Sequence, residues 1–257
     1  MTFQRNNFNS SQSAFTMVEI AISLAVIGIA LVAIIGVLPI GMNVQKDNRE
    51  ETIINQDATV LMEAIRSGAR SPFGSDLTNY VYAITNFPTS FNPSPTTMPP
   101  KGYDNSYLTN NERVVGLLST PEYTANDVIG EPLMNLFNGG ISNHVVAYVR
   151  SISGSAVEKP PQNNPILQKD SFSYKVFLQN TPVAIDTNNP SLYTTNLTAN
   201  LHELRLTFLW PLLPSGNTGA GRQPFRTMVS GQIISTNDNG VINYFFQPQI
   251  FTNVPAS

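Results

Sequence analysis

The stretch Ser13–Gly41, SAFTMVEIAISLAVIGIALVAIIGVLPIG, decides how the rest of the chain is interpreted. No residue from Ile20 to Val44 is charged, and about 20 apolar residues in a helix suffice to cross the hydrocarbon core of a bilayer. The stretch therefore predicts a membrane-spanning helix. A single acid, Glu19, stands at its start, and a carboxylate in that position needs a physical reason.

Two simpler interpretations of this stretch compete. A secretory signal peptide fits poorly, because the apolar run is too long and no small-x-small cleavage site follows it. An ordinary single-span anchor fits the length, with Glu19 as a carboxylate at the membrane interface. The length of the run does not exclude this second interpretation.

The residues just before Glu19 favour a processed chain. If a peptidase cut between Ala14 and Phe15, Glu19 would be the fifth residue of the new chain, one helical turn from a fresh α-amine. A carboxylate in the first turn of a helix gains about 0.3–1 kcal/mol from the helix dipole. Deeper in the bilayer the same acid would cost about 2.5–3.5 kcal/mol. A cationic partner is therefore expected, and the new amine is the obvious candidate.

The segment Ala14-Phe15-Thr16-Met17-Val18-Glu19 resembles the start of the type IV pilin family, which includes the pseudopilins of type II secretion. The family motif is a small residue, then Phe-Thr, an aliphatic pair and Glu, directly opening an unbroken hydrophobic helix. The chain departs from the pattern in two ways. Ala14 stands where Gly is usual, and the leader carries only Arg5 as a cation.

The resemblance implies a prepilin peptidase that cuts after Ala14 and methylates the amine of Phe15. It also implies that Glu19 is an assembly residue, which faces the amine of a neighbouring pilin-like subunit in a filament built on an inner-membrane assembly platform. The processing motif places the leader in the cytoplasm and the outer domain in the periplasm, since the flanking charges do not set the orientation.

Gly36 and Pro39 interrupt the apolar run. Pro39 lacks an amide hydrogen and its ring clashes with the carbonyl of Ile35, so we expect a kink or local melting there. The resemblance to pilins implies local unwinding when subunits pack. A tolerated kink in a membrane helix would look the same in sequence.

Apolar residues recur at helical spacing after the charged turn that follows Val44. The predicted stripe is Ile54, Ala58, Leu61, Met62 and Ile65, with Asp57, Glu63 and Arg66 off it. The helix should end near Ser67, with Gly68 as the stop. We thus expect a leader (1–14), a transmembrane half-helix (15–44), an amphipathic half (45–70) and a loop-rich outer domain (71–257).

The outer domain predicts an antiparallel sheet. The clearest strand places Leu204, Leu206, Phe208 and Trp210 on one face. Further strands are predicted at 145–152, 172–178, 227–234 and 241–246, with a hairpin turn at 237–240. Residues 86–105 and 211–225 are predicted to be loop or turn, with short structure at 114–118 and 132–137. The fold class is therefore α+β and pilin-like, with the long N-terminal helix packed on a C-terminal antiparallel sheet.

A second resemblance covers residues 201–234, which are similar to a minor-pilin family known as Verru_Chthon cassette protein B. This second resemblance implies no catalytic or binding residue.

Composition excludes several function classes. The chain has no cysteine and two histidines, His144 and His202, so thiol chemistry and most metal sites are not expected. The net charge is −3 and the sequence has no basic stripe, so we expect no nucleic-acid partner. The glycines at 216, 219 and 221 lack the Lys-Ser/Thr of a phosphate loop. Asp238 alone is too few acids for calcium.

We therefore expect no cofactor, no metal and no catalytic residue, and a structural subunit in place of an enzyme. The leading hypothesis is a minor pilin or pseudopilin, anchored in the inner membrane by one span before it joins a pilus or a secretion pseudopilus. The alternative is a membrane-anchored binding module for carbohydrate or protein that never enters a filament.

Overall fold

The structure is a computed structural model and describes residues 15–68, 77–91, 94–124, 140–152, 172–183 and 200–247 of the 257-residue chain. Two predicted features, the leader at 1–14 and the short element at 132–137, lie outside these residues. The chain divides into two units with the boundary between Glu51 and Thr52. A single helix, α1, crosses that boundary.

Helix α1 runs from Met17–Ser67, and its predicted end is confirmed. Gly68 terminates it with a φ of +63°, a left-handed conformation that glycine adopts without strain. A Cβ built at Gly68 would also lie 2.5 Å from the backbone oxygen of Phe246. Both the backbone angle and the close approach of the neighbouring strand therefore call for glycine at this position.

The second unit buries one face of the last turns of α1. Ile54, Ala58, Leu61 and Ile65 are buried, and Met62 packs against the same core while half-exposed. The predicted stripe is thus confirmed, with one correction. Asp57, expected to lie off the stripe, is completely buried, because position 57 follows Ile54 by three residues and so shares its face.

The outer domain adds an antiparallel sheet and a short helix, so the α+β class is confirmed. After a 3₁₀ turn at Leu77–Asn79 the elements are β1 (Val81–Phe91), β2 (Pro95–Thr97), β3 (Lys101–Asp104), α2 (Asn111–Leu118), β4 (Tyr123–Thr124), β5 (Ile141–Arg150), β6 (Ser173–Pro182), β7 (Leu201–Leu212), β8 (Thr218–Ser230), β9 (Gln232–Asp238) and β10 (Val241–Gln247).

The described strands form two sheets. The larger one has the order β2-β1-β5-β6-β7-β8, with β3 also paired to β1 and β4 to β5. The smaller one is the hairpin of β9 and β10. All of the pairings are antiparallel. The inward face of the larger sheet shares one hydrophobic core with the buried face of α1.

Alternation along the central strands sets which face is buried. In β7, Leu204, Leu206 and Phe208 are fully buried, while Glu203, Arg205 and Thr207 lie on the opposite face. Since side chains on a strand alternate between its two faces, one register places Leu204, Leu206 and Phe208 in the core that also contains the buried face of α1. The predicted strand at 203–210 is confirmed.

Two loop predictions are wrong. Residues 86–91, 95–97 and 101–104, expected to be loop, belong to β1, β2 and β3. Residues 218–225, expected to be part of a long turn, open β8. The backbone pairs with a neighbouring strand in both places, despite a composition rich in Pro, Thr, Ser or Gly. Strand β1 pairs with β5, β2 and β3 pair with β1, and β8 pairs with β7.

The strand predicted at 227–234 is wrong as a single element, because it spans the end of β8 and the start of β9, which belong to different sheets. Local signals predicted the next turn and α2 correctly. The β9–β10 hairpin turns at Asn239 and Gly240, whose φ angles are +53° and +84°, the left-handed pair that a tight hairpin requires. The short element expected at 114–118 is α2. Its N-cap is Asn110, whose side-chain oxygen accepts from the Arg113 amide at 2.8 Å.

Leu61 offers a direct test of the helix packing. Its side chain is 2% exposed and belongs to the core shared by α1 and the sheet. Replacing Leu61 with Ala should lower the free energy of unfolding by about 2–5 kcal/mol, because it leaves a cavity. Gln56→Ala, at an exposed position of the same helix, is the matched control in denaturant unfolding. Equal midpoints for both variants would show that Leu61 is not a core residue.

Candidate functional site

The start of α1 is held by a reciprocal pair of hydrogen bonds. The Thr16 amide donates to Glu19 Oε2 at 2.9 Å, and the Thr16 hydroxyl donates to the same oxygen at 3.0 Å. In return the Glu19 amide donates to the Thr16 hydroxyl oxygen at 3.3 Å. This is a capping box, in which the N-cap residue and the third residue of the helix satisfy each other's free donors.

The capping box leaves part of the Glu19 carboxylate available. Both bonds from Thr16 reach Oε2, and Oε1 accepts no hydrogen bond from the residues that the structure describes. The bonded amide belongs to Thr16, so it would remain an amide in a chain that begins at Phe15. The capping box would therefore be retained in a chain cleaved after Ala14. Ala14 itself lies outside the described residues.

The helix that follows exposes an apolar surface on every side. All residues from Phe15 to Arg49 are exposed, with Phe15 at 82% and Met17 at 87%. The helix is long and apolar enough to cross a membrane, by length and composition. A helix that is apolar all round and uncovered by its own chain is typical of a segment surrounded by lipid or by other helices.

The structure has no interruption of α1 at the expected helix break. Helix α1 is continuous through Gly36 and Pro39, so local melting is absent in the single chain. A Cβ built at Gly36 would meet open space. Unwinding on contact with other subunits stays a prediction, and Gly36 and Pro39 remain its site.

The carboxyl group of Asp57 is buried and joins α1 to the sheet. The sequence predicts this residue to lie off the apolar stripe. Asp57 Oδ2 accepts from the Ile152 amide at 2.9 Å and from the Tyr174 hydroxyl at 2.8 Å. Burial, with the Asp57 charge second, raises the pKa of Tyr174 well above its usual value. The tyrosine therefore remains a protonated donor to Asp57. The spacing from Ile54 was the only local signal of this burial.

The other candidate residues take structural positions. Asp238 pairs with Arg113, with 2.6 Å between Oδ2 and Nε, which ties the β9–β10 hairpin to α2. Gly221 lies directly under the ring of Trp210, where a side chain would clash. His202 is buried edge-on to Phe246, with 5.5 Å between ring centroids, whereas His144 is exposed.

No group of three or more His, Cys, Asp or Glu side chains suited to a metal ion occurs within the described ranges. Comparison of the chain with models of protein families, with curated proteins and with solved structures finds no match.

Proposed function

We propose that this protein is a minor subunit of a pilin-like filament, either a type IV pilus or a type II secretion pseudopilus. A prepilin peptidase would release the leader, and other pilin-like subunits and an inner-membrane assembly platform would be its partners. Before assembly the chain would reside in the inner membrane as a single-pass protein, with its leader in the cytoplasm and its outer domain in the periplasm.

The observation that carries the proposal is the head of α1. An exposed apolar helix carries Glu19 in its first turn, and this carboxylate is fixed by Thr16 and keeps one oxygen available. If Glu19 entered the bilayer interior, its charge would lower the stability of an ordinary anchor. In a filament the same oxygen can pair with the Phe15 amine of a neighbouring subunit, and the apolar surface can pack against other helices.

The minor role rests on size. Removal of the leader would leave 243 residues (257 minus 14), which is long for a repeating shaft subunit. A long Pro- and Asn-rich loop at residues 73–143 would also be awkward on every subunit of a tightly packed shaft. This range contains β1–β3 and α2, so it is not a long loop. The size of the mature chain is therefore the remaining argument for low abundance in the shaft.

Processing tests the proposal most directly. In a host with an active prepilin peptidase, membrane-extracted protein should begin at Phe15 and carry one methyl group on its amine, as measured by intact-mass and N-terminal peptide analysis. Ala14→Arg should retain the leader because a bulky cation replaces the small residue of the motif. Ser10→Arg adds the same charge elsewhere in the leader and should be processed normally.

An intact Met1 start in that host would contradict the proposal. It would favour the alternative, a membrane-anchored binding module that keeps residues 1–14 and never enters a filament.

A further inference from the structure

The outer domain contains a polar groove of about 720 Å³ between the larger sheet and the β9–β10 hairpin. Its floor is formed by β1 and β5, and its walls by β3, the end of α2 and the hairpin. The volume lies within the range of about 300–1,000 Å³ typical of small-molecule sites. All of its lining residues belong to the second unit.

The floor is polar where a core face is expected. Asn86 of β1 and Asn143 of β5 lie on the face of the sheet that elsewhere carries the buried residues Ile84 and Ala147. Asn86 Nδ2 donates to Asn143 Oδ1 at 2.9 Å, and Asn143 Nδ2 donates to Pro121 O at 3.1 Å and Thr124 Oγ1 at 3.2 Å. A chain of amide hydrogen bonds thus fixes the orientation of both side chains.

One acceptor among these hydrogen-bonded amides has no donor in the part of the chain that the structure describes. Asn86 Oδ1 is buried and accepts no hydrogen bond from the described residues. A buried acceptor without a donor costs free energy, so its persistence on the floor of a groove points to a donor supplied from outside. A ligand hydroxyl or N–H group would satisfy it.

The remaining lining residues narrow the ligand class. Among the described residues that line the groove, Lys101 is the only charged one, which disfavours a polyanion as ligand. None of these residues is Asp, Glu or His, which disfavours a metal ion. Every polar residue described in the lining, apart from Lys101, carries an amide or a hydroxyl group, and Tyr103 and Tyr244 are among them. Groups that both donate and accept match sugar hydroxyls, and aromatic rings match the apolar face of a sugar ring.

We propose that this groove binds a neutral saccharide of one to three rings. A peptide is less suited, because peptide strands add to the backbone of a sheet edge, whereas the floor here is a sheet face that offers side-chain amides. The proposal is independent of whether the chain is processed or enters a filament, since it rests on the second unit alone.

The test uses the full chain in lauryldimethylamine oxide micelles, which carry no sugar headgroup to compete for the groove. Maltose, lactose and N,N′-diacetylchitobiose are the probes, followed by saturation-transfer NMR with empty micelles as the blank. We expect at least one probe to bind with a Kd of about 1 mM or tighter. Thr236→Trp, at an exposed lining position, should raise that Kd at least about tenfold by filling the groove.

Gln232→Trp is the matched control, since Gln232 is exposed on the same strand and does not line the groove. It should leave the Kd unchanged within about twofold. The proposal is overturned if none of the three sugars binds, if Thr236→Trp binds as the unaltered chain does, or if both tryptophan variants weaken binding equally. Saturation of the groove by an Ala-Gly-Ser peptide that displaces the sugars would assign it to peptides instead.

Discussion

Replacing Asp57 with Ala should lower the free energy of unfolding by about 2–6 kcal/mol, because two buried donors each lose their acceptor at a cost of about 1–3 kcal/mol. The substitution would leave the Tyr174 hydroxyl and the Ile152 amide buried without the acceptor that they share. Each of these donors has lost its water on folding, so its unmet bond appears as a full desolvation cost. A folded domain has an unfolding free energy of about 5–15 kcal/mol, so the expected loss is a large fraction of it.

The measurement is denaturant unfolding of the full chain in micelles, followed by the fluorescence of Trp210, the single tryptophan, which is 8% exposed in β7. Asp57→Asn keeps the shape and one acceptor oxygen, so it should cost less than Asp57→Ala. Tyr174→Phe removes one donor and leaves the other bonded, so it should cost about 1–3 kcal/mol.

Gln56→Ala changes the exposed neighbour of Asp57 and should stay within about 0.5 kcal/mol of the unaltered chain. If Asp57→Ala behaved like Gln56→Ala, the hydrogen bonds from β6 and residue 152 would not stabilise the fold.

Asp57 also shows why part of the core could not be predicted. The helical period correctly assigned Ile54, Ala58, Leu61 and Ile65 to the buried face. The same period placed position 57 near that face, but a carboxyl group is buried only when donors meet it. Its donors come from residues 95 and 117 positions away along the chain, and no local pattern indicates that they arrive there.

The strands also differ in how well the local sequence predicts them. Strand β7 was predictable because its alternation is local and strongly apolar, and the β9–β10 turn because Asn-Asp-Asn-Gly favours left-handed backbone. Strand β1 was missed in its second half, where Asn86–Phe91 looks like loop by composition. Its pairing with β5 spans residues 81–90 and 141–149, and such non-local pairing outweighs a weak local preference.

At the head of α1 the local signal was present in the sequence. Thr16-Met17-Val18-Glu19 is a Thr-x-x-Glu pattern, the signature of a capping box. The energetic cost of an acid near the membrane indicated a cationic partner for Glu19. The capping of its own helix was therefore not predicted. The structure shows Glu19 in helix capping. The proposed pairing between subunits predicts a different mutant behaviour from capping.

Substituting Glu19 with Ala should leave membrane insertion intact and lower incorporation into filaments about tenfold, the effect of losing about 1.4 kcal/mol at each subunit contact. The span from Ile20 to Val44 is unchanged by the substitution, so its affinity for the bilayer remains. A neighbour's Phe15 amine would lose its carboxylate partner and would be left unpaired among apolar helices. The readout is quantitative mass spectrometry of sheared filaments and, in parallel, of the membrane fraction.

Two further variants separate pairing from capping. Thr16→Val removes the hydroxyl that donates to Glu19 Oε2 and accepts from the Glu19 amide, but keeps the carboxylate and the Thr16 amide. Losing a cap costs about 0.5–2 kcal/mol of helix stability, yet the charge remains available to a neighbour. Thr16→Val should therefore enter filaments within about twofold of the unaltered chain, whereas Glu19→Gln, which keeps the size and loses the charge, should resemble Glu19→Ala.

The opposite pattern would assign Glu19 to the helix alone. If Thr16→Val reduced incorporation as strongly as Glu19→Ala, while Glu19→Gln remained normal, an intact first turn and not a charge would be what assembly requires. The same filament preparations also measure abundance. A minor subunit should be outnumbered by another pilin-like chain in the shaft, because a bulky outer domain on every repeat would crowd neighbouring subunits. Should this chain be the most abundant one, the minor role is wrong even if Glu19 pairs as proposed.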